Sequence, residues 1–197
     1  MMSRMMSRVV SRAVLCALVT AAACSGGAKG ADGDATADMK GVAAPSSAPA
    51  VGRAAPAFAV PTLGGDTARI GGATPQPVTL VNVWATWCGP CKAEFPELQA
   101  LHETYRPRGL RVLAISIDTD GDAEVQASAA SMKATFAIGR DAGDLVRGQY
   151  AAVGIPESWL VSADGTLLWR HSGAIPAGDP AVRAAIEAAL TGAAPGQ

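Results

Sequence analysis

The sequence predicts an α/β fold: a central mixed β-sheet flanked by helices, with an N-terminal β-hairpin extension. Three observations point to it. Residues 78–85 (Val-Thr-Leu-Val-Asn-Val-Trp-Ala) and 110–117 are nearly continuous apolar runs, the pattern of strands covered on both faces. Between them, Phe95, Leu98, Leu101 and Tyr105 recur at helical spacing, so the two strands are joined by a crossover helix and pair in parallel. Later, residues 158–162 and 166–171 flank Asp164-Gly165, a strong hairpin signal that adds antiparallel strands.

Taken in chain order, the first 23 residues stand apart. Arg4, Arg8 and Arg12 form a positive start, no acidic residue precedes Asp32, and an apolar run over residues 13–23 ends in small side chains. This is the layout of a secretory signal peptide, too short for a transmembrane helix. Its removal takes the net charge from −1 to −4, because three arginines leave with it. Ala21-Ala22-Ala23 suits an ordinary signal peptidase, but Cys24 follows directly and Ser25-Gly26-Gly27 comes next. Small residues before a cysteine resemble a bacterial lipobox, in which that cysteine becomes the lipidated N-terminus. The position three before Cys24 is Ala21 where leucine is usual, so a soluble secreted protein remains the alternative. Residues 24–51 are dominated by Gly, Ala, Ser, Asp and Pro, too poor in large apolar groups to offset ordering entropy, and read as a flexible tether.

A folded domain is expected over residues 52–191, with a short tail at 192–197. Phe58-Ala59-Val60 and Ala68-Arg69-Ile70, separated by Leu63-Gly64-Gly65-Asp66, read as the opening hairpin. The helix of residues 91–106 contains Pro96, which is expected to kink it. Residues 122–135 and 141–153 read as two further helices, the second with Leu145, Val146 and Tyr150 inward. Asp179-Pro180 supplies an N-cap and first-turn proline for a closing helix through residue 190. The expected order is hairpin, β, α, β, α, α, β, β, α.

Composition narrows the function. Nothing resembles the basic patch or stripe of a nucleic-acid-binding protein. Of the four cysteines, Cys16 lies in the signal segment and Cys24 at its end, which leaves Cys88 and Cys91 as a lone C-x-x-C pair. In an exported chain with no separate structural disulfide, such a pair is the candidate reactive group. Half of a zinc site is the competing reading of any C-x-x-C. It needs a second Cys or His pair, and the chain has only His102 and His171, far apart and unpaired in sequence. No metal or other cofactor is expected beyond a redox-active Cys88–Cys91 disulfide.

The motif falls at a strand-to-helix junction, where free backbone N–H groups and the positive end of the helix dipole favour a thiolate. Cys88 is therefore the candidate nucleophile, its pKa lowered from the free value of about 8.5. Cys91, one turn later, is placed to resolve a mixed disulfide. Gly89 keeps the approach open, Pro90 begins the helix without needing an acceptor, and Trp87 shapes the rim at Cys88.

Residues 81–98, Val-Asn-Val-Trp-Ala-Thr-Trp-Cys-Gly-Pro-Cys-Lys-Ala-Glu-Phe-Pro-Glu-Leu, resemble the active-site strand and helix of the thioredoxin superfamily, in particular its TlpA/ResA/CcmG branch of exported thiol–disulfide oxidoreductases. The resemblance extends over residues 52–190 and includes Gly-x-x-Ala-Pro-x-Phe at 52–58 and Gly-Ile-Pro-Glu-Ser-Trp-Leu at 154–160. It implies a thioredoxin-like fold, a cis-proline at Pro156, and backbone docking of a substrate chain at Ile155. A trans proline in an ordinary loop is the plainer alternative. Thioredoxin has a buried Asp six residues before its first cysteine, where this chain has Asn82. The branch places a Glu three residues after the second cysteine, and Glu94 stands there as a candidate proton shuttle for Cys91. Its alternative is a solvated first-turn glutamate favoured by the helix dipole.

By resemblance the protein is expected to reduce extracytoplasmic protein disulfides, apocytochrome c among them, and to be re-reduced by a membrane thiol relay while lipid-anchored facing the periplasm. Two other classes compete. A peroxiredoxin-like thiol peroxidase shares the Gly-x-x-Ala-Pro-x-Phe opening, and a non-catalytic lipid-anchored binding module would use the fold as scaffold alone.

Overall fold

The computed structural model describes residues 48–192. The signal peptide of residues 1–23, the lipidation site Cys24, nearly all of the 24–51 tether and residues 193–197 of the tail lie outside the described residues.

The opening hairpin pairs β1 (Phe58–Pro61) with β2 (Thr67–Ile70) in antiparallel register. The main sheet has five strands in the order β5-β4-β3-β6-β7: β3 (Thr79–Trp84), β4 (Arg111–Ser116), β5 (Ala137–Arg140), β6 (Glu157–Val161) and β7 (Leu167–Ser172). β3, β4 and β5 run parallel, while β6 and β7 are antiparallel additions on the other side of β3. The apolar run of residues 78–85 thus becomes the central strand, with every residue of β3 buried. Among the described residues, four α-helices cover the sheet: α1 (Gly89–Tyr105), α2 (Asp122–Ser131), α3 (Leu145–Tyr150) and α4 (Pro180–Thr191).

The two faces of the sheet hold different things. Directly paired residues point the same way, so Asn82 and Ser158 share one face, and Val81 and Trp159 share the other. α1 packs on the Asn82 face, where Phe95 meets Trp84 edge-on at a centroid distance of 4.6 Å. α4 lies beside α1 on that face, joined to it by the Arg183–Glu97 ion pair and to the 3-10 turn that follows it (Arg106–Arg108) by the Arg108–Glu187 pair. On the opposite face, Tyr150 of α3 packs against Trp159 at 4.4 Å and donates its hydroxyl to the Pro56 carbonyl, which secures the hairpin side of the molecule. Gly139 in β5 makes room for that hairpin: a Cβ there would sit 3.0 Å from Val60 Cγ1. Leu63 N–H donates to the Ile138 carbonyl, so the residues after β1 cover the β5 edge of the sheet.

Three expectations need correction. Residues 137–140 form a fifth strand that the sequence reading missed. Ala-Ile-Gly-Arg is too short and too glycine-containing to read as a strand, and its identity comes from pairing with β4 from Leu113↔Ala137 to Ser116↔Arg140. α2 stops at Ser131 rather than residue 135, with Lys133 in the left-handed region at φ 59°. α3 spans six residues rather than 141–153, and Leu145, its first residue, is exposed rather than inward, while Val146 and Tyr150 are buried. Asp141 instead accepts the Val146 N–H at 2.8 Å, and Asp144 and Ala151, both left-handed, bound the helix. α1, by contrast, runs through Pro96 as one 17-residue element.

The Asp164-Gly165 turn closes as expected between β6 and β7. Gly165 has φ +84°, and a Cβ there would sit 2.5 Å from the Gly72 carbonyl, so only glycine fits. Residues 52–55 run alongside this end, with Gly52 N–H on the Leu167 carbonyl and Ala55 N–H on the Gly165 carbonyl.

Candidate active site

β3 ends at Trp84, and the chain turns through residues 85–88, closed by the Cys88 N–H to Ala85 carbonyl bond of 3.1 Å, before α1 begins at Gly89. Cys88 is the N-cap of that helix, with extended backbone at φ −87°, ψ 104°, and its sulfur accepts the Cys91 N–H at 3.2 Å. Cap positions hold orphan N–H donors, and here one of them points at a sulfur. Cys88 and Cys91 form a disulfide. Cys88 is 6% exposed and Cys91 is fully buried, so the first sulfur is the one an incoming chain can reach.

The rim is asymmetric. Trp87 is 68% exposed and Gly89 and Pro90 are also exposed, while Ile155 is half-buried and Pro156 buried. The Ile155–Pro156 peptide bond is cis. In the antiparallel register that pairs Val83 with Glu157, Pro156 lies opposite Trp84, at the end of β3 from which the cysteine turn departs. The predicted substrate-binding residues therefore gather at one end of the sheet.

Glu94 lies one turn beyond Cys91 on the same helix face and is 2% exposed. It is not a solvated first-turn glutamate. Its Oε1 accepts from Asn82 Nδ2 at 2.7 Å and its Oε2 from the Ile175 backbone N–H at 2.8 Å. Burial pushes its pKa up to about 7, and the two hydrogen bonds only partly oppose that rise. A buried carboxyl beside a cysteine pair, and half-protonated near neutrality, can both take and give a proton there.

Several contributing residues escaped the sequence reading. Ser158 accepts the second Nδ2–H of Asn82 at 3.0 Å, a contact across 76 positions of chain. Asp118, 1% exposed and just past β4, accepts the Thr86 N–H with both oxygens, the Thr86 hydroxyl at 2.6 Å and the Ser116 hydroxyl at 2.7 Å. Arg140 of β5 donates to that same Ser116 oxygen at 2.7 Å. The turn carrying Trp87 and Cys88 is thus fastened from a neighbouring strand. The signal for Asp118 was hidden among the four acids at 118, 120, 122 and 124, of which it alone is buried.

His102 and His171 do not converge on the cysteines: His102 sits in the last turn of α1, and His171 stacks on Trp169 of β7 at 5.5 Å. Among the described residues no three His, Cys, Asp or Glu are grouped to hold a metal ion.

Comparison with known proteins agrees with this geometry. Residues 51–170, more than half the chain, match the AhpC/TSA family. A thiol-disulfide oxidoreductase ResA of Bacillus thuringiensis (strain Al Hakam) is 30% identical over 118 residues, covering 60% of this chain and 67% of that protein. The thiol:disulfide interchange protein CycY of Rhizobium leguminosarum is 38% identical over 96 residues, 49% of this chain and 50% of its own. Among solved structures, a thiol:disulfide interchange protein DsbE from Chlorobium tepidum superposes with a TM-score of 0.65 at 30% identity, covering 73% of this chain and 99% of that one. The chain belongs to the AhpC/TSA family, and within it is a thioredoxin-like thiol–disulfide oxidoreductase of the ResA, CycY and DsbE kind.

Proposed function

We propose that the protein is an extracytoplasmic reductase of protein disulfides, with Cys88 as nucleophile, Cys91 as resolving thiol and Glu94 as the proton carrier for Cys91. In the reduced enzyme, the Cys88 thiolate attacks a substrate disulfide, forming a mixed disulfide and releasing one substrate thiolate, which takes a proton from solvent. Glu94 then removes the Cys91 proton, and the Cys91 thiolate attacks Cys88 Sγ. The Cys88–Cys91 disulfide forms, the second substrate thiolate leaves, and two electrons have passed to the substrate. Trp87, Gly89 and Pro90 border the approach, and the Ile155 backbone beside Pro156 docks the substrate chain. The cysteine pair is the only redox group in this scheme.

The single observation that carries the reading is the pairing of an N-cap sulfur with a buried carboxyl one turn beyond its partner cysteine. The signal-like residues 1–23, lipidation at Cys24 and the 24–51 tether would hold domain 52–191 against the outer side of a membrane. Electrons would then arrive from a membrane thiol relay, in a compartment that is otherwise oxidising. Apocytochrome c disulfides are the substrate class the ResA/CcmG resemblance favours.

Trapping tests this. Cys91→Ser is expected to retain covalent partners through Cys88, and Cys88→Ser to retain none. Failure of Cys91→Ser to capture any cysteine-containing partner would count against a reductase. Efficient hydrogen peroxide turnover without reduction of a C-x-x-C-H peptide disulfide would instead favour a thiol peroxidase. Full biological activity of Cys88→Ser would return the fold to the role of a binding scaffold.

A further inference from the structure

Asn82 is the only asparagine in the 197-residue chain, and it lies in the middle of β3 with no exposure. Strands are depleted in asparagine, and a buried carboxamide needs acceptors for two N–H groups and a donor for its oxygen. Both N–H groups are used, one on Glu94 Oε1 and one on Ser158 Oγ. The Oδ1 atom is buried and finds no hydrogen-bond partner among the described residues.

That arrangement suits an ionised Glu94 and conflicts with a protonated one. Ile175 N–H occupies Oε2, which must stay an acceptor, so an acid proton belongs on Oε1. There it would face Asn82 Nδ2–H across 2.7 Å, donor against donor. A half-turn of the carboxamide removes the conflict, because its oxygen and nitrogen ends have nearly the same shape. Oδ1 then accepts from Glu94 O–H and from the Ser158 hydroxyl, which serves equally as acceptor or donor. Each orientation makes two hydrogen bonds and leaves one end of the amide unpaired.

We propose that Asn82 and Ser158 form a two-state hydrogen-bond partner for Glu94, the Asn82 carboxamide donating to the carboxylate and turning over to accept from the protonated acid. The inference rests on the reading of Glu94 as proton carrier. Asn82 and Ser158 act through Glu94 and are positioning residues. The charged groups around Glu94 are otherwise engaged. Glu97, one turn along α1, is held by Arg183 of α4. Glu157, next to Ser158 in β6, points to the opposite face and pairs with Arg170 of β7. His171, opposite Ser158 in β7, approaches the Ala174 carbonyl at 3.3 Å, and Lys92 is exposed. Cys91 is in the disulfide, and the β7–α4 loop presents the Ile175 backbone N–H.

The single asparagine makes the test direct. In the full chain, oxidised so that the cysteines do not titrate, 15N-asparagine labelling gives one side-chain NH2 signal pair, and 13C-glutamate labelling gives a Glu94 carboxyl signal identified by its loss in Glu94→Gln. Both Asn82 N–H protons are expected to move upfield as pH falls, with the same midpoint as the Glu94 carboxyl, near 7. In Glu94→Gln, Ile175 N–H orients the new amide so that its NH2 faces Asn82. The Asn82 signals should then hold the low-pH wild-type position throughout. A Glu94 carboxyl that titrates near 7 beside an unchanging Asn82 pair would overturn the two-state partner and leave the proton carrier intact. A Glu94 carboxyl that stays ionised to about pH 5 would overturn the proton carrier and this inference with it.

Discussion

Glu94 and Glu97 lie one turn apart on α1 and are both buried, yet their surroundings give them different chemistry. Glu97 receives the Arg183 guanidinium on Oε1 and the Gly178 N–H on Oε2 at 3.0 Å. Glu94 receives only neutral donors, Asn82 and the Ile175 N–H. A buried carboxylate with a cation is a strut between α1 and α4. A buried carboxylate with amides alone is a proton site, since desolvation is only partly compensated and the pKa rises to about 7. Both also hold the loop between β7 and α4, so one loop is tied to α1 by an ion-paired carboxylate and by a carboxyl with neutral partners alone.

The comparison can be broken at either member. The largest expected effect is on the pH dependence of stability. Glu94 binds its proton more tightly folded than unfolded, so its contribution is fully present below the ordinary carboxylate range and is lost as pH rises to about 7. Glu94→Gln cannot ionise, so its stability relative to wild type should grow by about 3 kcal/mol between pH 4.5 and 8, from a rise of roughly two and a half pKa units. Denaturant unfolding of the two oxidised proteins across that range measures it.

Breaking the strut should act differently. Arg183→Met leaves Glu97 buried without its cation and is expected to cost about 2 kcal/mol, below the range for fully buried pairs because Arg183 is partly exposed. The pH profile of disulfide reduction should stay where it was. Arg108→Ala, at the exposed Arg108–Glu187 pair between the turn after α1 and α4, is the control and should leave the thermal midpoint unmoved.

A smaller effect is expected at the turn before Cys88. Asp118→Ala removes the acceptor of the Thr86 N–H and hydroxyl and should lower kcat/KM for a peptide disulfide about tenfold, the cost of one charge-assisted hydrogen bond. Asp118→Asn, which keeps an acceptor oxygen, should recover most of the loss. This variant sharpens the contrast, since Asp118 holds geometry and its removal should leave the Glu94 titration in place.

Much of this was legible in the sequence because it is local. The apolar runs at 78–85 and 110–117, the Asp164-Gly165 turn and the Asp179 cap each carry their structure within a few residues. Cys88, Cys91 and Glu94 share one helical stretch, so their spacing alone places them together. What was not legible depends on pairing between distant segments. β5 is a strand because β4 lies beside it, and Ser158 meets Asn82 because β6 runs antiparallel to β3. Asn82 was read by what it lacks, a titrating group. Its contribution, an amide against the buried acid, appears only once α1 is folded over the sheet. The difference between Glu94 and Glu97 was likewise hidden, since Arg183 is 86 residues away from Glu97.

The central claim, that Glu94 carries the proton of Cys91, is tested most directly by single-turnover kinetics of mixed-disulfide resolution as a function of pH. Wild type should show an inflection near 7, absent in Glu94→Gln, with resolution at neutral pH slowed about a hundredfold. Resolution in Glu94→Gln at the wild-type rate, with the same inflection, would contradict the account.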